Sequence, residues 1–382
     1  MPALTGRERI ALHLKRQPAD RVGLLESFWG DTEQHWRDQG FLKGGQDIEG
    51  RFGIEQDRDG ADEDVVSHFG IDVWAAGWLN SEADPACPKT IIEETDEWKL
   101  VRDGNGALLK WWKHKSGTPE HVDFLVKDRA GWEEHIRPRL LDESLLRGRV
   151  DIEGYRKTRQ QAAAEQRFFC WNGVSVFEQM APMCGHEYML MGMALDPDWV
   201  KDMAEVYADM TMNVMRILFA EAGPPDGFFF YEDMGFKFKP FMSPAMYKEI
   251  LQPSHKRQFD YAHSLGCPVI VHSCGFVEPL VPGLIEAGMD CLQAMEVKAG
   301  MDLVELKKKY GHRIALCGGM DIRTLESNDL QQVEAELQKK LPAAMAGGGY
   351  ILHSDHSIST RVNYETYAYF VRRGLEIGTY GS

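Results

Sequence analysis

A histidine and a cysteine stand two residues apart at the end of an apolar run, P-V-I-V-H-S-C-G, that covers residues 268–275. The β-branched residues predict a buried strand, and Gly275 lets the backbone turn away after His272 and Cys274. Because residues i and i+2 of a strand share a face, the imidazole and the thiol can point at one spot. Nitrogen and sulfur donors together are typical of a zinc site. The alternative is a core histidine beside a free thiol.

Other strand candidates in the second half of the chain are also followed by ionisable or metal-binding side chains. In a barrel of parallel strands, the active site is built at the carboxyl ends of the strands. We therefore expect side chains from several strand ends to meet. These side chains are Asn172, Glu232, Asp233, His272, Cys274, Glu296, Cys317, Asp321, His353, Asp355 and His356.

Several of these residues have two interpretations. Glu232 and Asp233 are candidate catalytic residues for substrate binding or proton transfer, and the alternative is a cap for the next helix. His356 is a candidate metal ligand or general acid. Asp355 either orients His356 or caps the following helix. Asn172 and Asp355 are the candidates for binding a cofactor.

Strand and helix candidates alternate regularly after residue 166. Near-continuous apolar strands separated by helices predict a parallel sheet with helices outside. One strand near Val22 and one more before residue 166 bring the total to eight. The sequence thus predicts an α/β fold, a single (β/α)8 TIM barrel over residues 1–382. The alternative is an open doubly wound sheet, but no G-x-G-x-x-G motif follows the first strand. The late strand candidates are Phe168–Gly173, Gly227–Tyr231, Pro268–Val271, Cys291–Val297, Ile314–Cys317 and Gly349–Leu352.

Residues 71–128 differ from this alternation because tryptophans punctuate short β-like runs. Two such runs, Glu97–Arg102 and Leu108–Lys113, flank the turn sequence Asp-Gly-Asn-Gly at 103–106, which is a strong hairpin signal. We interpret 71–128 as a Trp-rich hairpin insertion on the barrel. It is either a lid or an inert cover.

Composition limits the classes of partner and the cellular location. The 382 residues include 59 acidic and 43 basic ones, for a net charge of −16. This charge argues against nucleic acid or an anionic membrane surface as the main partner. The N-terminus lacks an apolar signal-peptide core, and no run approaches the roughly 18 apolar residues of a membrane span. Seven cysteines without framework spacing predict a reducing, cytoplasmic location.

Three motifs together resemble the uroporphyrinogen decarboxylase superfamily. They are H-S-C-G after an apolar strand, L-C-G-G-M-D two strand units later, and G-Y-I-L-H-S-D-H-S-I at the last strand. Arg9, Leu12 and the run Asp-Arg-Val at 20–22 fit the same family, and the likeness is weakest in residues 30–130. The resemblance implies a (β/α)8 barrel. The superfamily contains the decarboxylase and cobalamin-dependent methyltransferases, such as methylcobalamin:coenzyme M methyltransferase.

The methyltransferase branch binds zinc through His-x-Cys at the strand end that corresponds to His272 and Cys274. The related cobalamin-independent methionine synthase barrel adds a glutamate one strand later, where this chain has Glu296. That barrel has a cysteine at the last strand, where this chain has His356 instead. The resemblance therefore implies His272, Cys274, Glu296 and His356 as zinc ligands. Such a thiolate-poor set makes zinc a stronger Lewis acid, and Cys317 is either a reserve ligand or a packed strand residue.

The sequence and the resemblance together predict a zinc-dependent methyltransferase. It moves a methyl group between a small O- or S-methyl compound and a corrinoid, cobalamin, that covers the barrel mouth. No D-x-H-x-x-G module is present, so the corrinoid carrier must be a partner protein. The methyl donor, the direction of transfer and the oligomeric state are left open, with a homodimer among the alternatives.

Two other functions compete with this prediction. A metal-independent decarboxylase would use His356 and Asp233 for proton transfer on a small or tetrapyrrole acid. The stretch Glu-Ser-Phe-Trp-Gly-Asp at 26–31 lacks the arginines that several substrate carboxylates demand, which disfavours a porphyrinogen. A non-catalytic corrinoid-binding barrel has less need of ionisable strand ends.

Overall fold

The computed structural model describes residues 3–43, 64–114 and 118–381. Eight parallel strands form its centre, in the neighbour order β1-β12-β11-β10-β9-β8-β7-β2, and the remaining four form a separate antiparallel sheet. The strands are β1 (Gly23–Leu24), β2 (Val73–Ala76), β3 (Thr90–Glu94), β4 (Trp98–Arg102), β5 (Leu108–Trp112), β6 (Glu120–Asp123), β7 (Phe168–Val174), β8 (Gly227–Tyr231), β9 (Val269–Ser273), β10 (Cys291–Ala294), β11 (Ala315–Gly318) and β12 (Tyr350–Leu352).

Helices cover the outside of the eight-stranded sheet and confirm the predicted (β/α)8 barrel. The α-helices are α1 (Gly6–Leu14), α2 (Gly30–Asp38), α3 (Val65–His68), α4 (Arg129–Gly131), α5 (Arg137–Leu140), α6 (Ile152–Ala164), α7 (Val176–Leu195), α8 (Pro197–Ala222), α9 (Pro244–Met246), α10 (Gln252–Ser264), α11 (Val281–Ala287), α12 (Leu303–Tyr310), α13 (Ile322–Glu326), α14 (Leu330–Met345) and α15 (Tyr364–Ile377). Short 3₁₀ segments lie at Glu143–Arg149, Glu278–Leu280 and Val297–Ala299, and π segments at Trp132–Ile136 and Tyr247–Leu251.

The alternation of side chains along each strand decides which residues face the barrel interior. In β8 every residue is buried, as expected for a strand covered on both faces. Phe228 packs against Phe219 of α8 with ring centroids 5.7 Å apart, so it faces the helices. Phe229 and Tyr231 therefore face inward. His272 of β9 is the register partner of Tyr231 and shares its inward orientation.

A buried ionic cluster joins the first two barrel strands and closes the ring. The Asp72 backbone N–H donates to Leu24 O at 2.9 Å, and the Leu24 N–H donates to the Asp72 carboxylate at 2.9 Å. Arg9 and Arg21 bind the same carboxylate at 2.7 and 2.9 Å, and Asp20 binds Arg9 at 2.7 Å. The motif formed by Arg9 and the residues at 20–22 thus has a structural role, because it joins β1 to β2.

The predicted hairpin is confirmed, and it belongs to a four-stranded antiparallel sheet, β3-β4-β5-β6. The carboxylate of Asp103 accepts from the N–H groups of Asn105 and Ala107, each at 2.9 Å, which fixes the turn between β4 and β5. On one face of this sheet, the Lys110 ammonium lies 4.7 Å from the Trp98 ring centroid and 4.6 Å from that of Trp112. The insertion as predicted also includes residues 115–117, which lie outside the described residues. Its role as a lid or a cover stays a prediction.

None of the helices in the described ranges has both the length and the apolar character that crossing a bilayer requires.

Candidate metal centre

Strands β8 and β9 bring three donor side chains together at the carboxyl end of the barrel. His272 projects inward from β9, while Asp233 and Cys274 lie in the loops that follow β8 and β9. The two loops approach so closely that a Cβ on Gly275 would lie 2.3 Å from the carbonyl carbon of Gly235. Gly275 also has a φ of +76°, which favours glycine. This turn explains why the thiol can fold back towards the imidazole.

The three donors contact one another directly. His272 Nε2 lies 3.2 Å from Asp233 Oδ1 and 3.3 Å from Cys274 Sγ. The Cys274 backbone N–H donates to Asp233 Oδ1 at 2.7 Å, which holds the carboxylate in place. One ligand atom from each residue lies within 4.8 Å of the other two, and no further histidine, cysteine or acidic group of the described chain forms such a cluster.

The electrostatics of the cluster suit a cation. Burial and the nearby Asp233 charge together raise the pKa of the Cys274 thiol to about 11. Although burial opposes the change, Cys274 and Asp233 raise the pKa of His272 well above its usual value. His272 in turn lowers the pKa of Asp233 against the effect of burial. Without a cation the cluster therefore holds protons that a metal would displace.

The donor set fits Zn²⁺ by its chemistry. Catalytic zinc sites have three protein ligands drawn from nitrogen, sulfur and oxygen donors, and they keep one position open. Here the three atoms are an imidazole nitrogen, a thiol sulfur and a carboxylate oxygen. The Asp233 side chain is 39% exposed, so the cluster is open on one side. A substrate atom can approach from that side.

A second layer of polar side chains supports His272 from within the barrel. His272 Nδ1 is hydrogen-bonded to Gln293 Oε1, and Gln293 Nε2 lies 3.1 Å from His353 Nε2. His353 Nδ1 contacts the Ser354 carbonyl oxygen. Burial lowers the pKa of His353 to about 4, so the ring is neutral at pH 7. Gln293 was not singled out from the sequence, because it reads as one residue of a buried strand.

A fully buried carboxyl group lies at the end of this layer. Glu26 follows β1 and accepts from the Ser354 N–H and Oγ–H, both at 3.0 Å, and from the Ser27 N–H at 3.1 Å. Its Oε1 lies 3.2 Å from His353 Nε2. Burial raises the pKa of Glu26 to about 8, so the carboxyl is protonated through most of the neutral range.

Glu232 is directed away from the three donors. Its carboxylate accepts from the Phe177 and Glu178 N–H groups at 2.9 and 3.1 Å, and it lies 2.5 Å from His255 Nε2. It therefore caps α7, the helix before its own strand, rather than the helix after it. Its predicted catalytic role stays a prediction. Burial and the charge of Asp233 raise the pKa of Glu178 well above its usual value.

The structure does not bring Glu296 and Asp355 into the three-donor cluster. The Glu296 carboxylate accepts from the Gly275 N–H at 2.6 Å and pairs with Lys298 at 3.0 Å. Asp355 accepts from the Val297 N–H through one oxygen and, through the other, from the N–H at position 322, both at 2.7 Å. Burial raises the pKa of Asp355 to about 6. Both carboxylates thus fasten the loops around the mouth.

Two histidines follow β12, and it is His353, not His356, that contacts the Gln293 amide behind His272. The His356 ring lies beside Trp29, with centroids 6.4 Å apart, and its Nδ1 is 3.4 Å from Ser357 O. Burial lowers its pKa. Its assignment as a ligand or a general acid stays a prediction. Cys317 is fully buried in β11, and burial raises the pKa of its thiol well above the usual value, which fits the packing alternative.

Asn172 faces the barrel interior, since it is the register partner of the inward Phe229. It is fully buried, and neither its amide nitrogen nor its amide oxygen has a hydrogen-bond partner. Burying an unpaired amide costs free energy. Its predicted role in cofactor binding stays a prediction, and the open amide is compatible with a polar ligand.

Comparisons with known proteins place the chain in a family. The sequence model for uroporphyrinogen decarboxylase (URO-D) matches residues 169–374. No curated protein sequence matches the chain. The fold is similar to that of a methyltransferase from Methanosarcina mazei, with a TM-score of 0.64 and 14% identity over 98% of this chain and 99% of that one. A designed cube-shaped protein cage has a TM-score of only 0.26 at 12% identity, over 59% of this chain and 57% of that one, which is too low to indicate a shared fold. The matched segment exceeds half of the chain and contains all three donors, so the protein belongs to the uroporphyrinogen decarboxylase (URO-D) family.

Proposed function

We propose that this protein is a zinc-dependent methyltransferase that moves a methyl group between a small O- or S-methyl compound and a corrinoid carried by a partner protein. The observation that carries the proposal is the convergence of Asp233, His272 and Cys274 at the mouth of a URO-D family barrel. The similarity in fold to a methyltransferase from Methanosarcina mazei supports the class of reaction.

The three donors would hold the cation through Asp233 Oδ1, His272 Nε2 and Cys274 Sγ. Zn²⁺ at such a site supplies Lewis acidity, which polarises an oxygen or stabilises a thiolate. The protein's own contribution is to orient the substrate oxygen or sulfur at the open side of the cluster. The loops held by Gly275 and Glu296 keep the donors in place while this occurs.

Aromatic side chains beside the cluster form a surface on which a planar ring system can bind. The Tyr231 ring lies 5.1 Å from the His272 ring, and the Trp78 ring lies 5.5 Å from Tyr231. Trp78 is 38% exposed at the mouth. Trp78 and Tyr231 would contact a corrinoid presented by the partner protein, which would supply the cobalt that exchanges the methyl group. The same rings would shield the three donors from water.

The test is the metal content and zinc affinity of purified protein. We expect about one zinc per chain, and for His272→Ala and Cys274→Ser an affinity at least about 100-fold lower, since even residues behind a ligand change affinity by 10- to 100-fold. Zinc affinity is measured by competition with a chromogenic chelator. The matched control is Cys87→Ser, because Cys87 is an exposed free thiol in the segment between β2 and β3.

Wild-type zinc content in both ligand variants would refute the metal site. The methyl-transfer step is tested by incubating the zinc-loaded protein with cob(I)alamin and a panel of small methyl ethers and thioethers, and by following methylcobalamin in the visible spectrum. Release of carbon dioxide from an organic acid by metal-free protein would replace the proposal with the decarboxylase. Corrinoid binding without turnover of any methyl compound would favour a non-catalytic binder.

A further inference from the structure

The hydrogen bonds behind His272 form a chain whose direction can be derived from one end. The chain begins at the Ser354 carbonyl oxygen, which contacts His353 Nδ1. A carbonyl oxygen can only accept, so Nδ1 of His353 must carry a proton. In a neutral imidazole the other nitrogen then has a lone pair. His353 Nε2 is therefore an acceptor.

The next link fixes the orientation of the Gln293 amide. Its Nε2 lies 3.1 Å from His353 Nε2 and donates to it. The amide oxygen then faces His272 Nδ1 and must accept from it. His272 consequently carries a proton on Nδ1. When the ring is neutral, its Nε2 lone pair faces Asp233 and Cys274.

We propose that Gln293 and His353 are positioning residues that hold His272 in the tautomer whose Nε2 lone pair can bind a metal ion. This inference rests on the proposed function for its consequence, the metal affinity. For the tautomer it rests on the hydrogen-bond chain, with a neutral His353 and with the protonated Glu26 carboxyl group 3.2 Å from His353 Nε2. Ring nitrogens of metal-binding histidines are commonly fixed by such outer partners, which orient the ring and select the nitrogen that binds.

The burial of the chain makes the arrangement specific. Gln293 is 2% exposed and His353 1% exposed, so water does not compete for either side chain. An amide has a donor and an acceptor on fixed sides, and reversing it here would set two donors or two acceptors against each other. The low pKa of His353 keeps that ring neutral, which is the condition for this direction of the chain.

The decisive variants compare the loss of both hydrogen bonds of residue 293 with their retention. Gln293→Leu removes both hydrogen bonds, and we expect zinc affinity to fall 10- to 100-fold. In Gln293→Glu a neutral, buried carboxyl group keeps both, since its carbonyl oxygen accepts from His272 Nδ1 and its O–H donates to His353 Nε2, and we expect its affinity to stay within about threefold of the wild type. Gln179→Leu is the matched control, since Gln179 is a buried glutamine that donates to Thr211 at 2.9 Å, away from His272.

A spectroscopic measurement separates this inference from the metal proposal. In protein labelled with ¹⁵N-histidine, the His272 Nδ1 proton should exchange slowly in metal-free wild type and in Gln293→Glu, and rapidly in Gln293→Leu. If wild type binds no zinc but shows this protection, the proposed function fails and the inference stands. Wild-type zinc affinity and slow exchange in Gln293→Leu would overturn it. Equal losses in Gln293→Leu and Gln179→Leu would overturn it as well.

Discussion

Replacing Asp72 by alanine is expected to lower the free energy of unfolding by about 3 to 5 kcal/mol, because it breaks a buried ion pair from one side. Asp72 is 4% exposed and Arg9 5% exposed. The variant leaves the Arg9 and Arg21 guanidinium groups short of an acceptor, and it leaves the Leu24 N–H without its side-chain partner. These groups lie where β1 meets β2, so the variant weakens the contacts that close the ring of strands.

The measurement is urea unfolding at pH 7, followed by far-ultraviolet circular dichroism and by tryptophan fluorescence. Asp209→Ala is the matched control, since Asp209 pairs with Arg257 at the surface, with both side chains nearly half exposed. An exposed pair contributes about 0 to 1 kcal/mol. A loss in Asp72→Ala no larger than that of Asp209→Ala would show that the cluster does not hold the strands together.

The same cluster shows what the sequence could and could not predict. Arg9 and the residues at 20–22 are recognisable as a motif, but no periodicity assigns them a partner that lies 63 residues after Arg9 and 51 after Arg21. Barrel strands such as β8 were recognisable because burial on both faces makes them continuously apolar. β1 has only two residues and β2 four, so neither gives a strong signal of its own.

The choice between neighbouring polar residues was beyond the sequence. Glu232 and Asp233 follow β8 directly, and the structure directs them to opposite sides. Glu232 caps α7 beside His255, and Asp233 contacts His272. A period of two holds within a strand, but it does not extend into the loop, where Gly235 and Gly275 set the direction of the chain. Sequence spacing therefore predicted two catalytic candidates where the structure brings one to the cluster.

The last strand presents the same problem. His353 and His356 both follow β12, and the resemblance to known zinc barrels favoured His356 by position. The structure links His353 to the support of His272 and sets His356 beside Trp29. His272 and Cys274 are recognisable as a pair because the two features that bring them together lie within residues 272–275. These features are the alternation of side chains along a strand and the glycine that follows. Longer-range ligands depend on loop geometry that no local pattern encodes.

Glu26 provides the second large effect, a pH dependence of stability. Its pKa is raised by burial from 4.5 to about 8, so the folded protein binds this proton more tightly than the unfolded chain does. The corresponding stability is fully present below about pH 4.5 and is lost as the pH rises through about 8. The expected slope is about 1.4 kcal/mol per pH unit between these limits, or about 5 kcal/mol in total.

Glu26→Gln isolates this contribution, because glutamine keeps an acceptor for the Ser354 N–H and stays neutral at every pH. We expect the free energy of unfolding of the wild type, measured from pH 5 to 8.5 in urea, to fall relative to that of Glu26→Gln as the pH rises. Glu187→Gln, at an exposed position, should run parallel to the wild type. Parallel profiles for the wild type and Glu26→Gln would mean that Glu26 is ionised in the folded barrel. His353 would then face a carboxylate instead of a carboxyl group, and the direction of the hydrogen bonds that reach His272 through Gln293 would have to be reversed.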